Sequence, residues 1–160
     1  LSRTESDSWG VQRLRNFYSR VADDCLLYAA HLGWLSSTVK YKQGKKDETS
    51  SKSEYYGVDS LLCRTPDLDK LSYIAALWDE LGRYQSTGMG ISVTGWSEIQ
   101  SFADMIGAPK WECQLLHSMS KIFVDARNMF SDLFCEPPYL YGGYDFRLLS
   151  ADAADRRRKK

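Results

Sequence analysis

The chain is poor in the residues that perform chemistry. It holds two histidines, His31 and His117, far apart in sequence. Its four cysteines, Cys25, Cys63, Cys113 and Cys135, form no Cys-x-x-Cys pair. Zinc sites draw their ligands from short paired spacings of these two residue types, so no metal site is expected, and the thiols read as reduced and free. Gly88-Met89-Gly90 lacks the Lys-Ser/Thr that completes a phosphate loop and reads as a turn. Asp23-Asp24 and Asp79-Glu80 are sequence neighbours, which point to different sides of a helix and do not converge. No apolar run approaches the length that crosses a bilayer. The first thirty or so residues are amphipathic and charged, unlike a secretory signal. Net charge is zero. These absences predict no catalytic residues, no cofactor, no metal and no membrane association.

What the chain does have is aromatic surface. Phe, Trp and Tyr make up 13% of its 160 residues, including five Trp and ten Tyr. Large rings fill cores, but they are also enriched at the centres of protein interfaces. Charge is unevenly spread: residues 66–145 carry five basic and eleven acidic side chains, and residues 146–160 carry six basic and two acidic. An acidic body with a basic end can self-associate or attract an anionic partner. The blander reading is a solvated tail. The terminal run Arg156 to Lys160 has no interleaved aromatics to stack bases, so nucleic acid is not the expected partner.

Apolar periodicity predicts an all-α fold, a compact bundle of about four helices near residues 9–41, 66–84, 96–106 and 109–134. Residues 1–145 form a single helical domain in this reading, and 146–160 a disordered basic tail. In the first helix Val11, Leu14, Tyr18, Cys25 and Ala29 share a face, and Gly33 ends or weakens it. Residues 42–54 are polar with nothing to bury, and read as a mobile loop. Thr65 caps the second helix with Pro66 at its first position. Thr94 or Gly95 caps the third, and Gly107 stops it. Ala108-Pro109 opens the fourth, which Glu136-Pro137-Pro138 ends. Tyr139–Tyr144 is an aromatic coil able to pack on the body or dock on a partner.

Trp78 lies mid-helix on an apolar face, whereas Trp96 and Trp111 stand at helix starts, where a ring can stay exposed as a binding hot spot. Around them, Gly88-Met89-Gly90 is followed by Trp96-Ser97-Glu98-Ile99 with Phe102, Ala103 and Gly107. Then come Trp111-Glu112 and Leu116, Met119, Ser120 and Phe123. This pattern, over about residues 84–123, resembles tail assembly chaperones of long-tailed bacteriophages, most of all their second, often frameshifted, product. The resemblance implies a non-enzymatic protein of the infected host cytoplasm, which binds the tape measure protein and recruits tail tube subunits. The partner-binding residues expected from the helical spacing and the resemblance are Trp96, Ile99, Trp111, Leu115 and Met119, with Tyr139 and Tyr141 from the aromatic coil. The alternative is a structural virion subunit, a connector or tail-completion protein, with the aromatic coil and basic tail as assembly arms that order on docking.

Overall fold

The computed structural model describes residues 20, 22–130 and 135–159. Expected helix within 9–19 and 131–134 lies outside them. The architecture is mixed: among the described residues helices dominate, but two small antiparallel sheets are built in, so the expected pure four-helix bundle is wrong. The order is α1 (22–36), β1 (Thr38–Gln43), β2 (Lys46–Ser51), α2 (Lys52–Tyr56), α3 (Ser72–Leu81), β3 (Gln85–Ser86), β4 (Ile91–Ser92), α4 (Trp96–Ile106), α5 (Lys110–Met129) and α6 (Phe146–Arg158). Short 3₁₀ turns link several of these.

The first correction falls on residues 42–54. Residues 42–51 belong to a hairpin, in which Thr38 pairs with Ser51 and Gln43 with Lys46 around a two-residue turn at Gly44-Lys45, and residues 52–54 open α2. Gly44 has φ +66°, the positive value that tight hairpin turns demand. Order here does not come from apolar content in β2. It comes from Val39 of β1, fully buried, and from Lys52, fully buried just after β2. Lys42 stands opposite Asp47 in register, a favourable cross-strand pair. Ser51 caps α2 by accepting from the Glu54 amide.

The second correction falls on the tail. Residues 146–158 are helical and docked, not disordered. Asp145 caps α6 by accepting from the Arg147 amide at 2.9 Å. Phe146 and Ala153 are buried, and Arg156, Arg157 and Arg158 fall in the last turn, where the helix dipole favours cations.

Smaller differences are local. α1 ends at residue 36, ahead of β1, rather than running to residue 41. Gly33 does not end α1 but sits inside it. A Cβ at Gly33 would meet the Phe123 carbonyl oxygen at 2.5 Å and the Ala126 Cβ at 2.8 Å, so this glycine lets α1 approach α5. The Thr65 cap does not form. α3 starts at Ser72 after a 3₁₀ turn at Asp69–Leu71, and has no side-chain cap. By contrast, α4 has the expected bounds. Gly95 is its N-cap, and Gly107 leaves it in the left-handed conformation, with Ala108 N–H donating to the Ala103 carbonyl.

Two cores result. One joins Cys25 and Ala29 of α1 to Ile74 and Trp78 of α3, Phe102 of α4, and Leu115, Leu116, Met119 and Phe123 of α5. The other gathers Trp34, Leu35, Val39, Tyr55, Tyr56, Leu62, Phe146 and Ala153. α1 contributes to both.

Candidate partner-binding surface

α4 and α5 form a helical hairpin, and the loop into it is pinned from within. The Thr94 amide donates to Ser120 Oγ at 2.8 Å, and Thr94 Oγ1 donates to the Gly82 carbonyl at 2.9 Å. Both side chains are buried. This fixes the first turn of α4 against the middle of α5 and the end of α3. Just before it, Gly88-Met89-Gly90 forms the tip of the β3–β4 ribbon, with the Thr87 amide donating to the Gly90 carbonyl and Met89 fully exposed.

Trp96 is 53% exposed and Trp111 37% exposed, while Trp78 is 0% exposed. Position along the helix accounts for the difference. Trp96 and Trp111 occupy first turns, whereas Trp78 lies where α3 faces α1 and α5. Trp96 stacks on His117 of α5, with ring centroids 4.1 Å apart and planes 17° from parallel. The stack holds one face of the indole and leaves the other side of the ring to solvent. Beside Trp111, the Tyr73 hydroxyl donates to Glu112 Oε1 at 2.9 Å, tying α3 to the start of α5.

The two tryptophans do not merge into one patch. Six residues separate Trp111 from His117, which at 3.6 residues per turn places them about 120° apart around α5. Exposed Gln114 and Lys121 lie between them. The surface is therefore a polar strip of α5 bordered by two aromatic edges.

Three of the expected contact residues are withdrawn from it. Ile99 is 1% exposed, Leu115 7% and Met119 0%. Their helical spacing is that of the inward face, so they support the surface from beneath and cannot touch a partner directly. Tyr139 and Tyr141 make their contacts with other residues. Tyr139 packs its edge against His31, and Tyr141, exposed, has the Arg64 guanidinium over its ring.

His31 itself is fully buried and stacks on Trp34, which stacks in turn on Tyr56. Its Nε2–H donates to the Leu62 carbonyl at 2.9 Å. Burial outweighs that bond's preference for the charged ring and holds the His31 pKa down to about 4. Cys25 is free, and burial pushes its thiol up to about 11, far from a reactive nucleophile.

Sequence reasoning missed two polar clusters. Lys52 is fully buried, with its ammonium donating to Ser37 Oγ at 2.9 Å and to the Phe130 carbonyl, 3.1 Å from Cys135 Sγ and 4.7 Å from the centre of the Trp34 ring. The other is a groove of about 1090 Å³ between the β1 end of the hairpin and α6. The available signal was Phe146, Leu149 and Ala153 at helical spacing behind the Asp145 cap, a stripe hidden in charged composition.

Among the described residues no helix is long and apolar enough to cross a membrane, and no three His, Cys, Asp or Glu side chains come together as a metal set. No protein-family model, no curated protein and no solved structure matches this chain.

Proposed function

We propose that this is a non-enzymatic assembly factor that works by binding a helical partner through the α4–α5 hairpin. The observation that carries the reading is the exposure of Trp96 and Trp111 on the segment that bears the resemblance, beside a Trp78 that is wholly buried. Trp96 keeps one side of its ring exposed while His117 holds the other, and Trp111 keeps more than a third of its surface exposed. At an interface they supply rigid apolar area at low entropic cost. A long amphipathic helix lying along the polar strip of α5 would meet an aromatic edge on either side.

The resemblance names that helix as the tape measure protein of a long-tailed phage, with tail tube subunits as the second partner and the infected cell's cytoplasm as the setting. The competing reading, a virion subunit with free assembly arms, drew on a disordered basic tail; residues 146–158 are instead a packed helix. Co-expression with a tape measure helix is the test. The chaperone reading expects that helix to move from the insoluble to the soluble fraction and to co-purify with this chain, and expects the chain to be missing from mature particles. A chain found stoichiometrically in finished particles would establish the virion-subunit reading.

A further inference from the structure

We propose that the free edge of β1 and the facing wall of α6 form a second docking site, which takes an acidic, extended segment of a partner protein by strand addition. This site stands apart from the α4–α5 surface and uses different chemistry.

Among the described residues β1 pairs with β2 alone, so its other edge carries unmatched backbone donors and acceptors. Tyr41, Lys42, Gln43 and Gly44 of that strand and turn line the groove, and α6 forms the opposite wall. At about 1090 Å³ the groove exceeds the usual range of small-molecule sites, roughly 300–1000 Å³. It has room for a chain segment.

The α6 wall is shaped for an occupant. Arg147, Ala151, Ala154 and Arg158 recur at helical spacing on the groove side. Two alanines leave space at the centre and two arginines stand at the ends. Ala153 turns the other way, into the core, while Phe146, itself largely buried, also lines the groove.

Charge decides what fits. Lys42, Arg147, Arg157 and Arg158 line the groove against a single acid, Glu136. Arg157 is fixed there by neutral partners. Its guanidinium donates to the Tyr55 carbonyl at 3.0 Å, the Glu54 carbonyl at 3.1 Å and the Tyr41 hydroxyl at 3.1 Å. It also lies 4.6 Å and 4.5 Å from the ring centres of Tyr41 and Tyr55. None of these contacts neutralises it, so a preorganised positive charge remains in the wall. The one ion pair among the described residues, Arg83 with Asp79, is elsewhere.

A lysine on an exposed strand edge ordinarily wards off other strands. Lys42, backed by three arginines, repels neutral and basic strands but favours an acidic one, so the same residue supplies selectivity. Main-chain pairing then gives affinity, and the cations give the choice of partner. A nucleic acid fits less well, because the Arg157 guanidinium already covers a face of both tyrosine rings, the platforms on which bases would stack.

The test uses the full chain and labelled peptides in fluorescence anisotropy. An alternating Glu–Val peptide is expected to bind, an alternating Lys–Val peptide is not, and binding should weaken as salt rises from about 50 to 300 mM. Arg147→Glu with Arg158→Glu, both exposed, should weaken the Glu–Val peptide by about tenfold or more while circular dichroism is unchanged. Arg157 is left intact because it holds Tyr41 and Tyr55. N-methylation of alternate peptide amides should abolish binding, since strand addition needs them. Failure of the Glu–Val peptide to bind, binding indifferent to the arginine reversals or to N-methylation, or tighter binding of oligothymidylate would each overturn the proposal. Trp96→Ala with Trp111→Ala should leave this binding intact, which separates its fate from that of the α4–α5 surface.

Discussion

The core around Trp78 and the core around Trp34 are built on different principles. The first is made of side chains that repeat at helical spacing along α1, α3, α4 and α5, and it encloses mostly apolar groups. The second collects Trp34, Val39, Tyr56, Leu62, Phe146 and Ala153 from separate short elements, and it sits beside a buried lysine and a buried histidine. Stacked rings and hydrogen bonds across long stretches of sequence hold it. Tyr56 lies 5.8 Å from Trp34, and Arg157 reaches back to the backbone of residues 54 and 55. The lesson is that polar composition does not mean disorder when buried polar groups such as Lys52 and the Nε2 of His31 find partners.

The sharpest way to break this contrast is to remove residues 44–53. The sequence alone treats them as dispensable. Their loss takes away β2 and Lys52, and with Lys52 the link among Ser37, Phe130 and Cys135. The Trp34 core should lose its cooperative urea transition, while helical signal from the Trp78 side persists in part. A deletion variant with the parent's urea midpoint would show that the hairpin adds nothing.

A second probe separates the cores by pH. The fold holds the His31 pKa down to about 4, against about 6.5 in an unfolded chain. Between those values the unfolded state binds the proton more readily. Stability from this group is therefore full above about pH 6.5 and falls as pH drops to about 4, by about 3 kcal/mol in all. His31→Phe keeps a ring against Trp34 and removes the titration. The parent's stability should fall relative to this variant by about that amount over the window. Parallel pH profiles for the two proteins would contradict a buried neutral histidine.

A smaller effect tests where the cores meet. Gly33→Ala places a methyl group against the Phe123 carbonyl and Ala126. Pushing α1 off α5 should cost about 1–3 kcal/mol in denaturant melts. An unchanged or raised midpoint would mean that the close approach of these helices is not required.

The same contrast explains which parts of the fold were legible in sequence. α4 could be read to the residue because its signals are local: Gly95 and Gly107 bracket it, and its inward face repeats as Ile99, Phe102, Ala103. The start of α5 follows from Pro109. β1–β2 and α6 could not be read this way, because what orders them lies about a hundred residues away, as with Arg157 and Tyr41. The candidate surface was half legible. Placement at helix starts identified Trp96 and Trp111 as exposable, but the repeat that named Ile99, Leu115 and Met119 marks the buried side of the same helices. A periodic stripe finds the face toward the core; the exposed rings are those that break it.

The most direct measurement takes Trp96→Ala, Trp111→Ala and Trp78→Ala through both a urea melt and a titration with a tape measure helix. Trp78→Ala should cost about 3–5 kcal/mol of stability, as expected for a fully buried ring. The other two should cost less in stability, and each should weaken binding by about 2 kcal/mol or more. If Trp96→Ala and Trp111→Ala destabilise the fold as severely as Trp78→Ala while the folded fraction binds normally, both rings are structural and the α4–α5 hairpin is not the partner surface.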